Sequence, residues 1–412
     1  MILKRKGLKT FDKEERAIIA YILSSVDLLA MLVPVIVLIW EKSYLTFGEM
    51  LLLQGIFTAV LLVMEVPSGA LSDSWLGRKW TEVIGNGLLS VSLMIYTIAN
   101  DFVGFATAET IAGVSLAMKT GNASSLLYDT LTERNNKARF SQIVSRTTTL
   151  AFIVASAANI VGGLLGSIHL KLPLALLAMS YMTITGYNIL AVQEPKRISA
   201  KTAAHATLKA TRSILMKPVL SILCIYTIAT GVFSRIVFWA YQPLMISIGH
   251  FGSIEIGLAM ASFNIIAAIG SKVFGLLGKR IKSITVLNIF IMVATLGVYG
   301  ITQASDIGAL LLAIYALQII RGLSRPYFTI VQQEYLDSDE RSTFNSLDSF
   351  KNSLLYTIMA ALLVNTSITR ALNIALTGYV LITILVIVGS LLYQINQSRL
   401  TIKNRRLVAV QM

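Results

Sequence analysis

Four ionisable side chains stand in or at the ends of runs that are otherwise apolar. They are Asp27 in YILSSVDLLAML, Glu65 just before Pro67, Glu109 in ETIAGVSLA and Arg235 in TGVFSRIVFWAYQP. A charge in hydrocarbon costs at least ~2.5–3.5 kcal/mol on insertion scales, so each needs a partner or a task. A carboxylate in such a place can take up and release a proton. Asp27, midway along its run, is the first candidate for a proton or cation site; the structural alternative is a hydrogen bond to Ser24 or another neighbour. Glu65 can transfer a proton or serve a gate. Arg235 can pair with Asp27, attract an anionic substrate, or reach outward along its aliphatic stem. Lys119 reads as a structural pairing or snorkelling residue. Asp348 and Lys351 are three residues apart on one helix face and can pair with each other.

A second group interrupts the apolar pattern altogether. The stretch EVPSGALSDSWLGRK carries Gly69, Asp73, Gly77, Arg78 and Lys79. Gly69, without a side chain, lets its helix approach a neighbour closely. Gly77 suits the backbone of a tight turn. Asp73 can accept hydrogen bonds from an arginine fork or a helix N-terminus. Arg78 and Lys79 can at the least anchor the loop on one side of a membrane. Further on, SLLYDTL places Asp129 where nearby loop cations can reach it, and NIVGGLLG supplies Gly162, Gly163 and Gly166 for close helix packing. Trp40, Tyr44, Trp239 and Tyr241 read as interface anchors; the alternative for Trp239 and Tyr241 is the lining of a substrate cavity.

The elements that must position these residues are apolar helices. The chain has 412 residues, 55% hydrophobic and 14% charged, where a soluble domain is about a quarter charged. Most segments are apolar all round rather than on one face, which excludes a large soluble enzyme. Twelve runs are long enough for a bilayer, at about 17–40, 49–71, 80–100, 102–128, 140–168, 170–192, 218–247, 253–277, 283–303, 305–327, 342–366 and 370–395. Backbone groups in lipid must be satisfied within their own segment, so these are helices.

Charge sets the expected direction. With both termini in the cytoplasm, the outward loops hold only Lys42, Lys171 and Arg370 among 35 Lys and Arg, as the positive-inside rule requires. The net charge of +14 is then explained by anionic lipid facing the inner loops, and no nucleic acid is needed. The organisation expected is a cytoplasmic segment 1–16, a six-helix bundle 17–192, a cytoplasmic linker 193–217 that can lie on the membrane as a helix, a second bundle 218–395 and a cytoplasmic tail 396–412. Cys224 is the only cysteine and the three histidines are scattered, so neither a disulfide nor a metal site is expected. No Walker A pattern is present. An enzyme is not expected, nor a cofactor.

The two halves repeat. A shift of 201 positions brings SGALSDSWLGRK onto IGSKVFGLLGKR: Gly69 meets Gly270, Gly77 meets Gly278, and Arg78-Lys79 meets Lys279-Arg280, while Asp73 meets Phe274. This six-plus-six layout with the Gly69–Lys79 motif resembles the major facilitator superfamily along the whole chain. The resemblance implies an all-α membrane protein of 12 transmembrane helices in two pseudo-symmetric six-helix bundles. It implies a monomeric secondary transporter in the cell membrane that rocks one bundle against the other around a small-molecule site. In that family the acid at Asp73 helps lock the two halves on the cytoplasmic side, and the Tyr-Asp pair ending at Asp129 marks a prokaryotic subgroup. The span-four arginine of many proton-driven relatives is Glu109 here, which can carry a proton itself or face outside water. The span-five glycines lack the proline usual in drug/proton exchangers. The substrate class these features favour is amphipathic drugs or toxic metabolites, exported in exchange for protons. The alternative is a carrier of a metabolite such as an organic acid or sugar.

Overall fold

The computed structural model describes residues 12–73, 76–120, 122–194, 217–277, 284–336 and 338–411. The regular structure among them is helical throughout. Contacts divide the chain into two units. The first holds Met1–Lys201, His250–Asn264 and Thr357–Thr366; the second holds Thr202–Gly249, Ile265–Tyr356 and Ser367–Met412.

In the first unit α1 (Lys13–Ser25) opens on a capping box: Asp12 accepts from the Glu15 amide at 2.7 Å and the Glu15 carboxylate accepts from the Asp12 amide at 3.1 Å. The span expected at 17–40 is not continuous. Helix α1 ends, a short 3-10 turn covers Leu28–Met31, and α2 (Val33–Lys42) follows; the two pieces are bent by 44°. Pro34 in the first turn of α2 explains the break, since it has no N–H to offer the Ala30 carbonyl.

Helices α3 (Phe47–Asp73), α4 (Gly77–Ile98) and α5 (Phe102–Lys119) come next. The segment expected as one span at 102–128 is also interrupted: Thr120 leaves the helical region with ψ 119°, and α6 (Asn122–Glu133) starts anew. Helices α7 (Phe140–Ile168) and α8 (Leu172–Ala191) complete this run. Serine hydroxyls join α4 to its neighbours. Ser90 donates to the Ala178 carbonyl at 2.8 Å, Ser92 to the Ala108 carbonyl at 2.8 Å, and Ser115 to the Gly85 carbonyl at 2.7 Å. In lipid such bonds and small residues replace the hydrophobic drive between helices. The span-five glycines pack as expected: a Cβ on Gly162 would run into the Met31 backbone, and one on Gly163 would lie 2.5 Å from the Ser253 carbonyl of the same unit.

In the second unit α9 (Pro218–Ile228) passes through a π-helical turn at Ala229–Phe233 into α10 (Ser234–Gly249). Then come α11 (Ser253–Leu277), whose first turns belong to the first unit, α12 (Ile284–Gln303), α13 (Ile307–Tyr335), α14 (Ser338–Leu362) and α15 (Ile368–Gln411). Gly270 on α11 meets α13 closely, with a Cβ there 2.7 Å from the Ile319 carbonyl oxygen.

Among the described residues nine helices are long and apolar enough to cross a membrane, or ten if the bent α1–α2 pair is one span. Two expected spans fall short. Helix α5 carries Glu109 and Lys119 within 18 residues, and α14 opens on the polar run SDERSTFNS. Most of the expected linker, residues 195–216, lies outside the described residues, as do Gly278, Lys279 and Arg280 of the second motif copy.

Candidate functional site

Besides the ion pairs Lys13–Glu133 and Glu14–Arg139 around its first helix, the charged residues of the first unit gather at three places. The first is the start of α4. Gly77 takes φ +79°, the left-handed region, and a Cβ there would lie 2.6 Å from a Glu194 carboxylate oxygen. Glu194 accepts from the Arg78 and Lys79 amides, both at 2.8 Å. It thus places a carboxylate on the free N–H groups of a helix N-terminus, where the dipole favours it. Arg78 then turns its Nε to Asp129 at 2.6 Å, and Lys79 donates to the Ile189 carbonyl at 2.9 Å. The Arg78–Asp129 pair is the contact expected between Asp129 and the loop cations, and Glu194 caps the helix. Asp73, expected to accept from an arginine or a helix N-terminus, ends α3, and its side chain lies outside the described residues. Glu194 was missed because it is distant in sequence and was assigned to the linker.

Gly69 differs from expectation. A Cβ there would meet nothing within 4 Å, so in this structure it is Gly270, its counterpart in the repeat, that brings two helices together. Glu65, at the same end of α3, is exposed. Its backbone carbonyl accepts from Ser68, whose hydroxyl also reaches the Ala117 carbonyl at 2.9 Å.

The second place is Glu109, in the middle of α5 and 7% exposed. It does not face outside water. Its Oε1 accepts from Gln54 Nε2 on α3 at 2.8 Å and from Tyr96 OH on α4 at 2.5 Å. Both donors are neutral. The Tyr96 ring is braced by Phe105, 5.4 Å away between centroids. Trp40 is fully buried and lies beside Tyr96, so it joins this cluster and is not an interface anchor. Tyr44 is 94% exposed.

The third place was not foreseen. Glu82 on α4 is 3% exposed and accepts from Ser24 at 2.6 Å, from Asn86 at 3.1 Å and from Asn122 at 3.3 Å. The structural alternative of a hydrogen bond from Ser24 to Asp27 is not the one seen, since Ser24 serves Glu82. Asp27 lies at the break after α1, exposed. Lys119 lies over the Tyr181 ring, 4.6 Å from its centroid, and Glu82 acts on its charge. The signal for Glu82 was legible: Arg78, Glu82 and Asn86 recur every four residues, a polar face at the start of an apolar helix.

In the second unit Arg235, just past the π-turn, stacks over the Tyr356 ring at 5.3 Å, a cation–π contact. Asn352, one turn before Tyr356, fills the space at Gly231, where a Cβ would lie 2.7 Å from its amide carbon. A π-turn widens the helix and often marks a functional position. Asp348 and Lys351 pair at 2.7 Å as expected. Lys351 also donates to the Cys224 carbonyl at 2.6 Å and Thr227 donates to Asp348 at 2.6 Å, so the pair ties α14 to α9. Tyr241 is buried, not interfacial, and lies beside Gln318. Trp239 is half-buried beside Phe238, at 5.3 Å. Next to Tyr241, Gln242 is fully buried with neither amide atom hydrogen-bonded. Among the described residues no three His, Cys, Asp or Glu come together as a metal site.

The family model described as Major Facilitator Superfamily matches residues 17–360. No curated protein sequence matches the chain significantly. Among solved structures, the nucleoside transporter NupG superposes with a TM-score of 0.73 at 14% identity, over 92% of this chain and 99% of that one. An auto-inhibited POT family peptide transporter gives 0.72 at 10% identity, over 93% and 97%. A bacterial homolog of the human lysosomal transporter Spinster, inward-facing and unoccupied, gives 0.68 at 13% identity, over 95% and 97%. At these identities the likeness is one of fold.

Proposed function

The chain belongs to the major facilitator superfamily, and from that premise we propose that it is a proton-coupled secondary transporter that exports amphipathic small molecules by alternating access. One observation carries the coupling. Glu109 is buried in α5 and held on one oxygen by two neutral donors, Gln54 and Tyr96. A buried carboxylate whose partners are neutral can load and unload a proton without first breaking an ion pair. Asp27, exposed at the break after α1, is the second acid able to carry a proton, and Glu65 the third. Arg78 and Asp129, with Gly77 and Lys79, form a latch at one end of the first unit; Gly69 and Asp73 end the helix that leads into it. The lysine and arginine asymmetry supports both termini, and this latch, on the cytoplasmic side of the cell membrane. The protein acts as a monomer in this reading.

Flux into proteoliposomes tests the proposal, with ethidium as the probe and an imposed pH gradient. Wild-type protein should concentrate ethidium when the gradient is applied. Glu109→Gln should lose that gradient-driven accumulation by roughly tenfold or more, a barrier change of about 1.4 kcal/mol, yet keep downhill exchange. Full gradient-driven transport by Glu109→Gln would remove Glu109 from the coupling. Sensitivity of exporter-deficient cells to a panel of toxic compounds, unchanged on expression, would remove the export reading.

A second reading has support from Arg235. A guanidinium held on an aromatic face in mid-helix suits an anionic metabolite, and the buried Gln242, with neither amide atom bonded, is a polar group nearby in sequence; Trp239 and Tyr241 are the aromatic residues beside it in this reading. Solved structures of this fold include nucleoside and peptide transporters. Uptake of organic anions that is lost in Arg235→Gln, with no drug export, would favour it.

A further inference from the structure

Glu82 is used by nothing in the proposed transport cycle, yet it is the most highly bonded buried acid described in the first unit. Its two oxygens serve different elements. Oε1 accepts from Ser24, in the last turn of α1, at 2.6 Å; Oε2 accepts from Asn122, the first residue of α6, at 3.3 Å. Those two donors flank the two helix interruptions of the unit. Ser24 precedes the break at Val26–Asp27, and Asn122 follows the break at Thr120. Lys119, the last residue of α5, stands on the other side of the same break, over the Tyr181 ring. Asn122 is itself held by Ser72 at 2.8 Å and by the Arg78 carbonyl at 2.6 Å.

We propose that Glu82 is a positioning residue that couples the two interruptions, so that the break in α1 and the break between α5 and α6 open and close together. A carboxylate is a small rigid plane. When one donor pulls away, the plane turns about its stem and the other bond is strained. Buried polar contacts of this kind have few alternatives in a membrane interior, so the group tends to two discrete arrangements. A spare acceptor is present for a donor released in the second arrangement: Asn86 Oδ1 is buried without a hydrogen-bond partner, and the amide nitrogen of the same side chain already bonds Glu82. The coupling belongs to the fold of the first unit and does not depend on which molecule is carried.

The test reads access to each break by maleimide labelling of purified, reconstituted protein in a Cys224→Ser background. Val26→Cys reports on the first break, Met118→Cys on the second, and Leu174→Cys on α8 as a control; all three positions are buried. Asn122 bonds to Ser72, Arg78 and Glu82, none of them on α1. Even so, Asn122→Ala should speed labelling at position 26 roughly three- to tenfold, the range of one or two membrane-interior hydrogen bonds. Ser24→Ala should do the same at position 118. Glu82→Gln should raise both and abolish the crosstalk, while position 174 stays unchanged. Glu82→Asp, with a shorter arm, should give intermediate rates if Glu82→Gln does not fold. The proposal fails if each cut speeds only its own break, or if position 174 rises in step and so reports general loosening. Neither outcome bears on ethidium flux, so this inference and the transport reading stand or fall separately.

Discussion

At Gly77 the backbone takes φ +79°, a conformation that is disfavoured by about 1–2 kcal/mol for a residue with a Cβ. A methyl there would also press on the Glu194 carboxylate, 2.6 Å away. Gly77→Ala should therefore lower the thermal midpoint of the solubilised protein and free Glu194 from the first turn of α4. An unchanged midpoint would mean that the cap is slack. The motif itself was legible, because glycine before two cations signals a turn whatever surrounds it. Its partner was not. Glu194 is separated from Arg78 by 116 positions, and nothing local marks which acid will reach a distant helix end. Glu109 shows the converse. Its position in an apolar run announced a buried acid, but its donors, Gln54 and Tyr96, lie on helices whose rotation the sequence does not specify.

Two glycines separate what helices need from what they tolerate. At Gly162 a side chain would collide with the Met31 backbone in the 3-10 turn, while at Gly69 it would meet open space. Gly162→Val should thus cost about 1–3 kcal/mol through overpacking, seen as a lower melting temperature and poorer recovery of folded protein. Gly69→Val should stay within about 0.5 kcal/mol. The reverse order would show that the α3 end packs more closely in the state that is populated. Helix existence was legible nearly everywhere, since apolar length alone demands it. The interruptions were less so. Pro34 marks the first break in hindsight, but nothing at Thr120 and Gly121 is stronger than an isolated glycine, which many helices carry. The π-turn at Ala229–Phe233 has no signature beyond Gly231.

For the molecule as a whole, the hydrophobic segments with their charged ends suffice to name the class, and the family match agrees. Orientation can be checked directly. In a Cys224→Ser background, Lys42→Cys and Arg370→Cys should react with an impermeant maleimide from outside intact cells, and Arg134→Cys only after permeabilisation. Labelling of all three from outside would refute the topology, and labelling of Arg134→Cys alone from outside would reverse it. The span count is the less legible part. Helices α5 and α14 carry enough charge to fall below a membrane criterion on their own, so they depend on neighbours to shield Glu109, Asp348 and Lys351. Helix α15 poses the opposite problem. Its 44 residues make a rod of roughly 66 Å at 1.5 Å per residue, whereas the hydrocarbon layer takes up only ~30 Å. Half of the rod must project into water or headgroups. A fluorophore fused at Gln411 would therefore ride on a stiff boom, and small tilts of the buried half would become ångström-scale swings at its tip.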